Sequence, residues 1–269
     1  ACSAALAACH GGLRAQQLGE CIRSLVAGAM VMLSPGPGLS FATAGMTSAH
    51  GRSHTFDHRA DGYARGEACG GIALCDGVER SLEVRGSAVR QDGRSASLTA
   101  PNSQAQHELL IAAFADAGKA VDLLALHEAH GTGTSLGDPI EAGSLTSAAL
   151  SARNSEAPLA VGTVKANLGH AEPAAGMTGL MKLMASLHSH DAVPNGQLRV
   201  LNPHVLDALQ MHAADCALAV QLGTVGTVER CGGVSSFGYS GTIANVVVRG
   251  EMSGGRSVIP LLLAYRRRL

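Results

Sequence analysis

Small and apolar residues recur at helical spacing over residues 3–17, where Leu6, Cys9 and Leu13 share one face, and this predicts a helix. Residues 24–33 are a nearly continuous apolar run, broken by Gly28, that reads as a buried strand. The cluster Pro35, Gly36, Pro37, Gly38 predicts a loop over 34–45. Further strands are expected at 68–75 and 82–89. Ser103 and Gln106 have the spacing of a capping box, ahead of a helix that presents Leu110, Phe114 and Ala117 and stops at Gly118. A strand (121–127), a helix (139–151) and another strand (159–164) follow. The clearest amphipathic pattern, 173–188, aligns Met177, Leu180, Met181, Met184 and Leu187, a stripe suited to core packing. Strands near 216–222 and 243–248 complete the pattern. Such alternation predicts an α/β fold with a largely buried sheet, whose strand ends and glycine-rich loops hold the chemistry.

Composition narrows the function classes. The 269 residues carry 20 basic and 21 acidic side chains, a balance without the basic surplus of a nucleic-acid-binding protein. The dense basic run Arg266, Arg267, Arg268 reads as a solvated tail. No apolar stretch reaches the ~18 residues of a membrane span, so no membrane association is expected. Seven cysteines with no repeated spacing and no CxxC pair argue against a disulfide framework and a thiolate zinc site. A reducing, cytoplasmic location is expected. The sequence opens at Ala1 without Met, so targeting is not legible from it. The 34 glycines lack a repeat and imply many tight turns and close backbone approaches.

Four segments carry candidate chemistry. Cys2 precedes a predicted helix, where free N–H groups and the helix dipole favour a thiolate with a lowered pKa. A small buried residue is the alternative there. In residues 127–145, His130 follows a strand within the run Gly131, Gly133, Gly137. Asp138 suits an N-cap ahead of Pro139, with Glu141 on the same helix. A zinc-protease helix needs two histidines four apart, whereas His127 and His130 are three apart on a strand end. A dinucleotide loop needs its third glycine one position earlier than Gly137. Residues 161–180 repeat the strand–loop–helix order with Lys165, Gly169 and His170, and Pro173 opens the helix. Lys165 is either a solvent-facing charge or a partner of Glu141 or Asp138 that sets the charge of a pocket. Neutral imidazoles donating from Nε2 stabilise a developing oxyanion. In residues 232–248, Gly238 and Gly241 flank Tyr239, in a turn that is either an ordinary hairpin or an oxyanion-hole loop.

Together these segments resemble the β-ketoacyl synthase family, specifically the ketosynthase of polyketide synthases. The matching stretches are ACSAALAA around Cys2, then residues 55–71, 86–102, 128–145, 161–182, 201–204 and 233–242, in family order. The resemblance implies a thiolase-like fold with α-β-α-β-α layers, incomplete at the N-terminus because a ketosynthase carries a long segment ahead of its cysteine. Residues 1–100 would be the remainder of the N-terminal half, 101–250 the C-terminal half and 251–269 a tail. It implies Cys2 as nucleophile and His130 and His170 as catalytic histidines. Lys165 and Glu141 would form a supporting charged pair with Asp138 nearby, and the N–H groups of Cys2 and Tyr239 an oxyanion hole. The Tyr239 ring would gate the acyl pocket. The implied reaction is an acyltransferase-class decarboxylative Claisen condensation, joining an acyl chain on Cys2 to a malonyl-type extender. The expected partner is acyl carrier protein, its substrates held on phosphopantetheine, with no cofactor or metal and a homodimer in the full-length protein. The alternative is a non-catalytic, truncated scaffold partner in a synthase complex. Thiolases and chain-initiating synthases share the fold but not this pair of His loops with Lys165.

Three departures stand out. Thr242, Ile243, Ala244, Asn245 replaces the usual Thr-Asn-Ala-His, so a bond that steadies the Tyr239 turn is expected to be missing. Arg90 replaces a common Asn, and the connection between Cys75 and Arg85 is short.

Overall fold

The chain is described by a computed structural model over residues 1–76, 82–95, 100–118, 124–153, 157–225 and 230–250. Its elements run α1 (Ala4–Gln17), β1 (Arg23–Met30), α2 (Pro35–Thr43), β2 (Ala68–Cys75), β3 (Leu82–Gln91), α3 (Ser103–Asp116), β4 (Leu124–Glu128) and α4 (Gly137–Ala148). They continue through β5 (Leu159–Gly162), α5 (Lys165–Leu168), α6 (Ala175–Ser189), β6 (Asp191–Ala192), α7 (Pro203–Leu209), β7 (Cys216–Leu218), β8 (Gly223–Thr224), β9 (Arg230–Phe237) and β10 (Thr242–Gly250). The tail with Arg266–Arg268, the short connection at 77–81 and the first part of the strand expected at 121–127 lie outside the described residues.

A six-stranded sheet has the order β3-β10-β9-β4-β5-β7, antiparallel from β3 to β9 and parallel from β9 to β7. β9 is buried at every position and β10 at six of nine, because helices cover both faces of these strands. On one face Leu6 and Cys9 of α1 and Met177, Leu180 and Leu183 of α6 pack against Leu126, Val234, Ala244 and Val246. On the other, Leu109 and Phe114 of α3, Leu145 of α4 and Val205 of α7 pack against Val161, Cys231, Ile243 and Val247. β1 and β2 form an antiparallel pair against α1 and α6. The layers therefore run β-α-β-α, four members of the thiolase-like order, with α1 and α6 in the middle. That stacking puts the start of α1, which follows Cys2, between two sheets. Among the described residues no helix is long and apolar enough to cross a membrane.

The structure corrects several expectations. The apolar run at 24–33 forms a strand that is only half covered: among the described residues β1 pairs with β2 alone, Val26 faces α1, and Leu25 is 80% exposed. The Pro-Gly cluster starts a helix, α2, because Ser34 accepts the Gly36 N–H as N-cap and Pro35 fits the first turn. Asn102, not Ser103, caps α3, accepting from Gln104 and Ala105. Asp138 does not cap α4. It lies in the first turn and accepts the N–H groups of Phe56 and Gly133. β9 was hidden in the sequence by its Gly and Ser content. In the methionine stripe Met177 is buried, whereas Met181 is half-exposed with its sulfur over Gly70 of β2.

Candidate active site

Cys2 lies just before α1, buried at the junction of α1, the β9–β10 turn and the loop after α5. Its Sγ is 3.1 Å from His170 Nε2. The His130 ring stands at 87° to the His170 ring with centroids 5.6 Å apart. Residues 2, 130 and 170 thus converge, although they lie ahead of α1, after β4 and after α5 respectively. His130 Nδ1 accepts the backbone N–H of Phe237 at 3.2 Å, which leaves the ring proton on Nε2. His170 Nδ1 is buried without a hydrogen-bond partner. A buried lone pair costs less there than a buried N–H, so His170 also carries its proton on Nε2, toward the sulfur. Burial, then the charge of Lys165, pushes both imidazoles well below the usual histidine range, so both are neutral donors at pH 7.

The thiol departs from expectation. Burial raises the Cys2 pKa, and Lys165 and the Tyr239 backbone N–H, which bonds the sulfur, act against that rise. The net shift is upward, so the lowered pKa expected ahead of a helix is not found, and Lys165 and the Tyr239 N–H offset only part of the effect of burial. Ser236 Oγ donates to the Cys2 carbonyl at 2.8 Å and Ser3 Oγ to the Thr242 carbonyl at 2.7 Å, locking α1 to the β9–β10 turn. The Tyr239 ring is 45% exposed and packs edge-on to Phe41 of α2 at 6.3 Å, with the Arg65 guanidinium 5.4 Å over Phe41.

Lys165 is only 2% exposed, and burial lowers its pKa while Glu128, Glu141 and Cys2 raise it. Glu141 forms no direct bond to it. Both Glu141 oxygens accept backbone N–H groups, of His130 at 2.6 Å and Gly131 at 2.7 Å, so it shapes the His130 loop and acts on Lys165 through space. Burial pushes Glu141 up to about 7 and Asp138 up to about 6, against their N–H donors and Lys165. Gly133 has φ +78°, and a Cβ there would lie 2.7 Å from the His54 backbone N, so this turn requires glycine.

Sequence reasoning passed over several supports. The Tyr63 ring meets the His170 ring edge-on at 4.9 Å, and Ala64 accepts the His170 N–H. Asp57 accepts backbone N–H groups from Arg59, Arg199 and Val200 and the Arg59 guanidinium, tying this segment to the loop before α7. Both lie in stretches that carry the resemblance, the one signal that could have marked them. The Tyr239 turn, lacking its usual His, is held by Gly238 N–H on Thr242 and Gly241 N–H on Gly238, both at 2.8 Å. Asn245 instead bonds Ser235 Oγ, which meets His127 Nε2 inside the sheet. A shallow groove lined by Glu128, Gly162, Lys182 and Ser186 among others does not include Cys2.

Comparison with known proteins agrees with this geometry. Residues 1–79 match the beta-ketoacyl synthase N-terminal domain and 82–199 its C-terminal domain. The chain is 42% identical over 257 residues to a phenolphthiocerol/phthiocerol polyketide synthase of Mycobacterium tuberculosis, covering 92% of this chain and 12% of that protein. It is 39% identical to polyketide synthase ThaG of Burkholderia thailandensis, covering 96% of this chain and 5% of that one. A solved ketosynthase from module 6 of the bacillaene synthase of Bacillus subtilis 168 superposes with a TM-score of 0.86 at 30% identity, over 94% of this chain and 46% of that chain. An oxazolomycin ketosynthase domain of Streptomyces albus gives a TM-score of 0.86 at 32% identity, over 93% and 45%. The chain thus spans a small part of its curated relatives and just under half of these solved domains. With the fold, the domain matches and these relatives in agreement, the chain belongs to the β-ketoacyl synthase family, among the ketosynthases of polyketide synthases.

Proposed function

We propose that this chain carries the condensing site of a polyketide synthase, and that it joins an acyl chain on Cys2 to a malonyl-type extender by decarboxylative Claisen condensation. The observation that carries this reading is the meeting of one sulfur and two buried, neutral imidazoles, with the Cys2 Sγ to His170 Nε2 distance at 3.1 Å. Both substrates arrive as thioesters on the phosphopantetheine of acyl carrier protein, and the full-length protein acts as a homodimer.

The chemistry follows from the groups present. Cys2 Sγ attacks the acyl thioester carbonyl, the carrier thiol leaves with the Cys2 proton, and the acyl chain is held on Sγ. The N–H groups of Cys2 and Tyr239 take the negative charge on the carbonyl oxygen, where one lost donor costs about 3–4 kcal/mol of barrier. The extender thioester then places its carbonyl oxygen between the His130 and His170 Nε2–H groups. Carbon dioxide departs, leaving its bonding electrons as an enolate, and the two N–H donors stabilise that oxyanion. Being neutral, the imidazoles donate hydrogen bonds without giving up a proton and quenching the carbanion. The enolate carbon attacks the acyl-Cys2 carbonyl, the C–S bond breaks and Cys2 is regenerated. Thioester activation and loss of carbon dioxide drive the sequence, so it calls for no metal or redox cofactor. The Tyr239 ring, against Phe41, gates the acyl chain.

The test incubates the protein with an acyl-carrier thioester and reads the mass of the Cys2 peptide, with Cys2→Ala as control. A mass gain confined to intact Cys2 is expected. His170→Ala is expected to slow release of carbon dioxide from a malonyl thioester more than it slows acyl loading. A folded sample without acylation, or the reverse order in His170→Ala, refutes the reading.

A further inference from the structure

Glu128, the last residue of β4, holds a position that the mechanism above does not use. It is 3% exposed, and its two oxygens reach two different elements. Oε1 accepts the backbone N–H of Val164 at 2.6 Å, and Oε2 accepts from Lys182 Nζ of α6 at 2.6 Å. Val164 immediately precedes Lys165, and Glu128 stands two residues before His130. One buried carboxylate thus spans the two loops that deliver the site. α6 leaves room for it: a Cβ at Gly179 would lie 3.1 Å from Glu128 Cγ. Glu128 is the buried member of the pair and Lys182 the partly exposed one, so removing Lys182 leaves a buried carboxylate with only the Val164 N–H as partner.

We propose that Glu128 and Lys182 are positioning residues, whose ion pair ties the His130 loop to the Lys165 turn and sets the charge that Lys165 meets beside Cys2. The charges facing Lys165 come from every side: Glu128 from β4, Asp138 and Glu141 from α4, Lys182 from α6, and Cys2 ahead of α1, with His130 and His170 from the loops. Glu141 has both oxygens on the N–H groups of the His130 loop, whereas Glu128 bonds the N–H of the residue that precedes Lys165, and both carboxylates act against the lowering of the Lys165 pKa by burial. Lys182 opposes that effect and at the same time holds Glu128 in place.

The two partners therefore act on Lys165 with opposite signs, which separates an electrostatic role from a merely structural one. The inference rests on the proposed condensing function at Cys2, and its test reads Lys165 itself, independent of turnover. The sequence contains three lysines, Lys119, Lys165 and Lys182, so protein labelled with ¹³C-lysine gives three Cε signals, and Lys165→Met assigns one. Titrated by NMR, Lys165 in Glu128→Gln is expected to lose its proton about one pH unit lower than in the unaltered protein. In Lys182→Met it is expected to lose it at higher pH. The double variant Glu128→Gln with Lys182→Met keeps a neutral pair of similar volume and is expected to fall between the two single variants. Should Glu128→Gln fail to fold, Lys182→Met and the double variant carry the same comparison. Shifts in the same direction for both partners, or no shift in either, overturn the proposal. Opposite shifts with no acylation of Cys2 would leave the pair's role standing and refute the condensing function instead.

Discussion

The position of the Cys2 sulfur depends on how closely α1 approaches α6, and Gly176 sets that approach. A Cβ at residue 176 would lie 2.6 Å from Leu6 Cγ and 3.3 Å from both Leu6 Cδ2 and the Leu6 backbone N. Carbon atoms in good contact sit ~3.5–4.0 Å apart, so Gly176→Ala forces α1 back by about 1 Å. Leu6 is fully buried in a cluster with Cys9, Val26 and Leu180. Overpacking of this kind costs about 1–3 kcal/mol. Leu6 is one helical turn from Cys2, so the same displacement carries Sγ from 3.1 Å to about 4 Å from His170 Nε2, the outer edge of hydrogen-bond range for sulfur. A misplacement of about 1 Å at reacting groups costs roughly 100-fold in rate. Urea unfolding and the rate of acyl transfer from a pantetheine thioester to Cys2, followed by mass spectrometry, read the two effects. Leu6→Ala alone opens a cavity costing about 2–5 kcal/mol. Combined with Gly176→Ala it removes the clash, so the double variant is expected to lose less than the sum by about 1 kcal/mol or more. Unchanged stability and acyl transfer in Gly176→Ala, or strict additivity in the cycle, would refute the reasoning.

Two further outcomes are expected. Ser236→Ala removes the hydroxyl that donates to the Cys2 carbonyl, both groups being buried, and should cost about 1–2 kcal/mol in urea unfolding and slow Cys2 acylation; an unchanged unfolding midpoint would count against the lock between α1 and β9. Asp92 has a buried oxygen without a hydrogen-bond partner, and burial pushes its carboxyl up to about 6 from the ordinary 3.8. The folded state then holds this proton where the unfolded state releases it, so stability falls as pH rises from about 4 to 6. Asp92→Asn should remove that fall and stabilise the protein by about 1 kcal/mol at pH 7, the partial exposure of the group having been discounted. Parallel stability–pH curves for the two proteins would contradict it.

What was legible in the sequence is what depends on residue type at a local junction. Cys2, His130, His170 and Lys165 each stand beside a strand end or helix start, and their glycine-rich surroundings announce loops that approach other backbone. Helices such as α1 and α6 announce themselves by apolar spacing, because each buries one continuous face. β1 and α2 were misread for the complementary reason. An apolar run does not say how many neighbours a strand will find, and Pro35 serves a first helical turn as well as a loop. Pairings across the fold left still less trace. Phe237 orients His130 through its main-chain N–H, a group every residue but proline possesses, so no side-chain pattern marks it. The same holds for Glu141 and Glu128. Both are acidic residues near a buried lysine, and spacing alone favours Glu141 because it shares a helix with Asp138. What distinguishes them is where their oxygens are already committed: Glu141 to the N–H groups of His130 and Gly131, Glu128 to Val164 and Lys182. Desolvation makes every one of those commitments costly to leave unmade. The division of labour among the buried charges is thus set by backbone donors brought together by the sheet order, with β4 between β9 and β5. That order places Glu128 of β4 beside the exit of β5 and so against the residue that precedes Lys165.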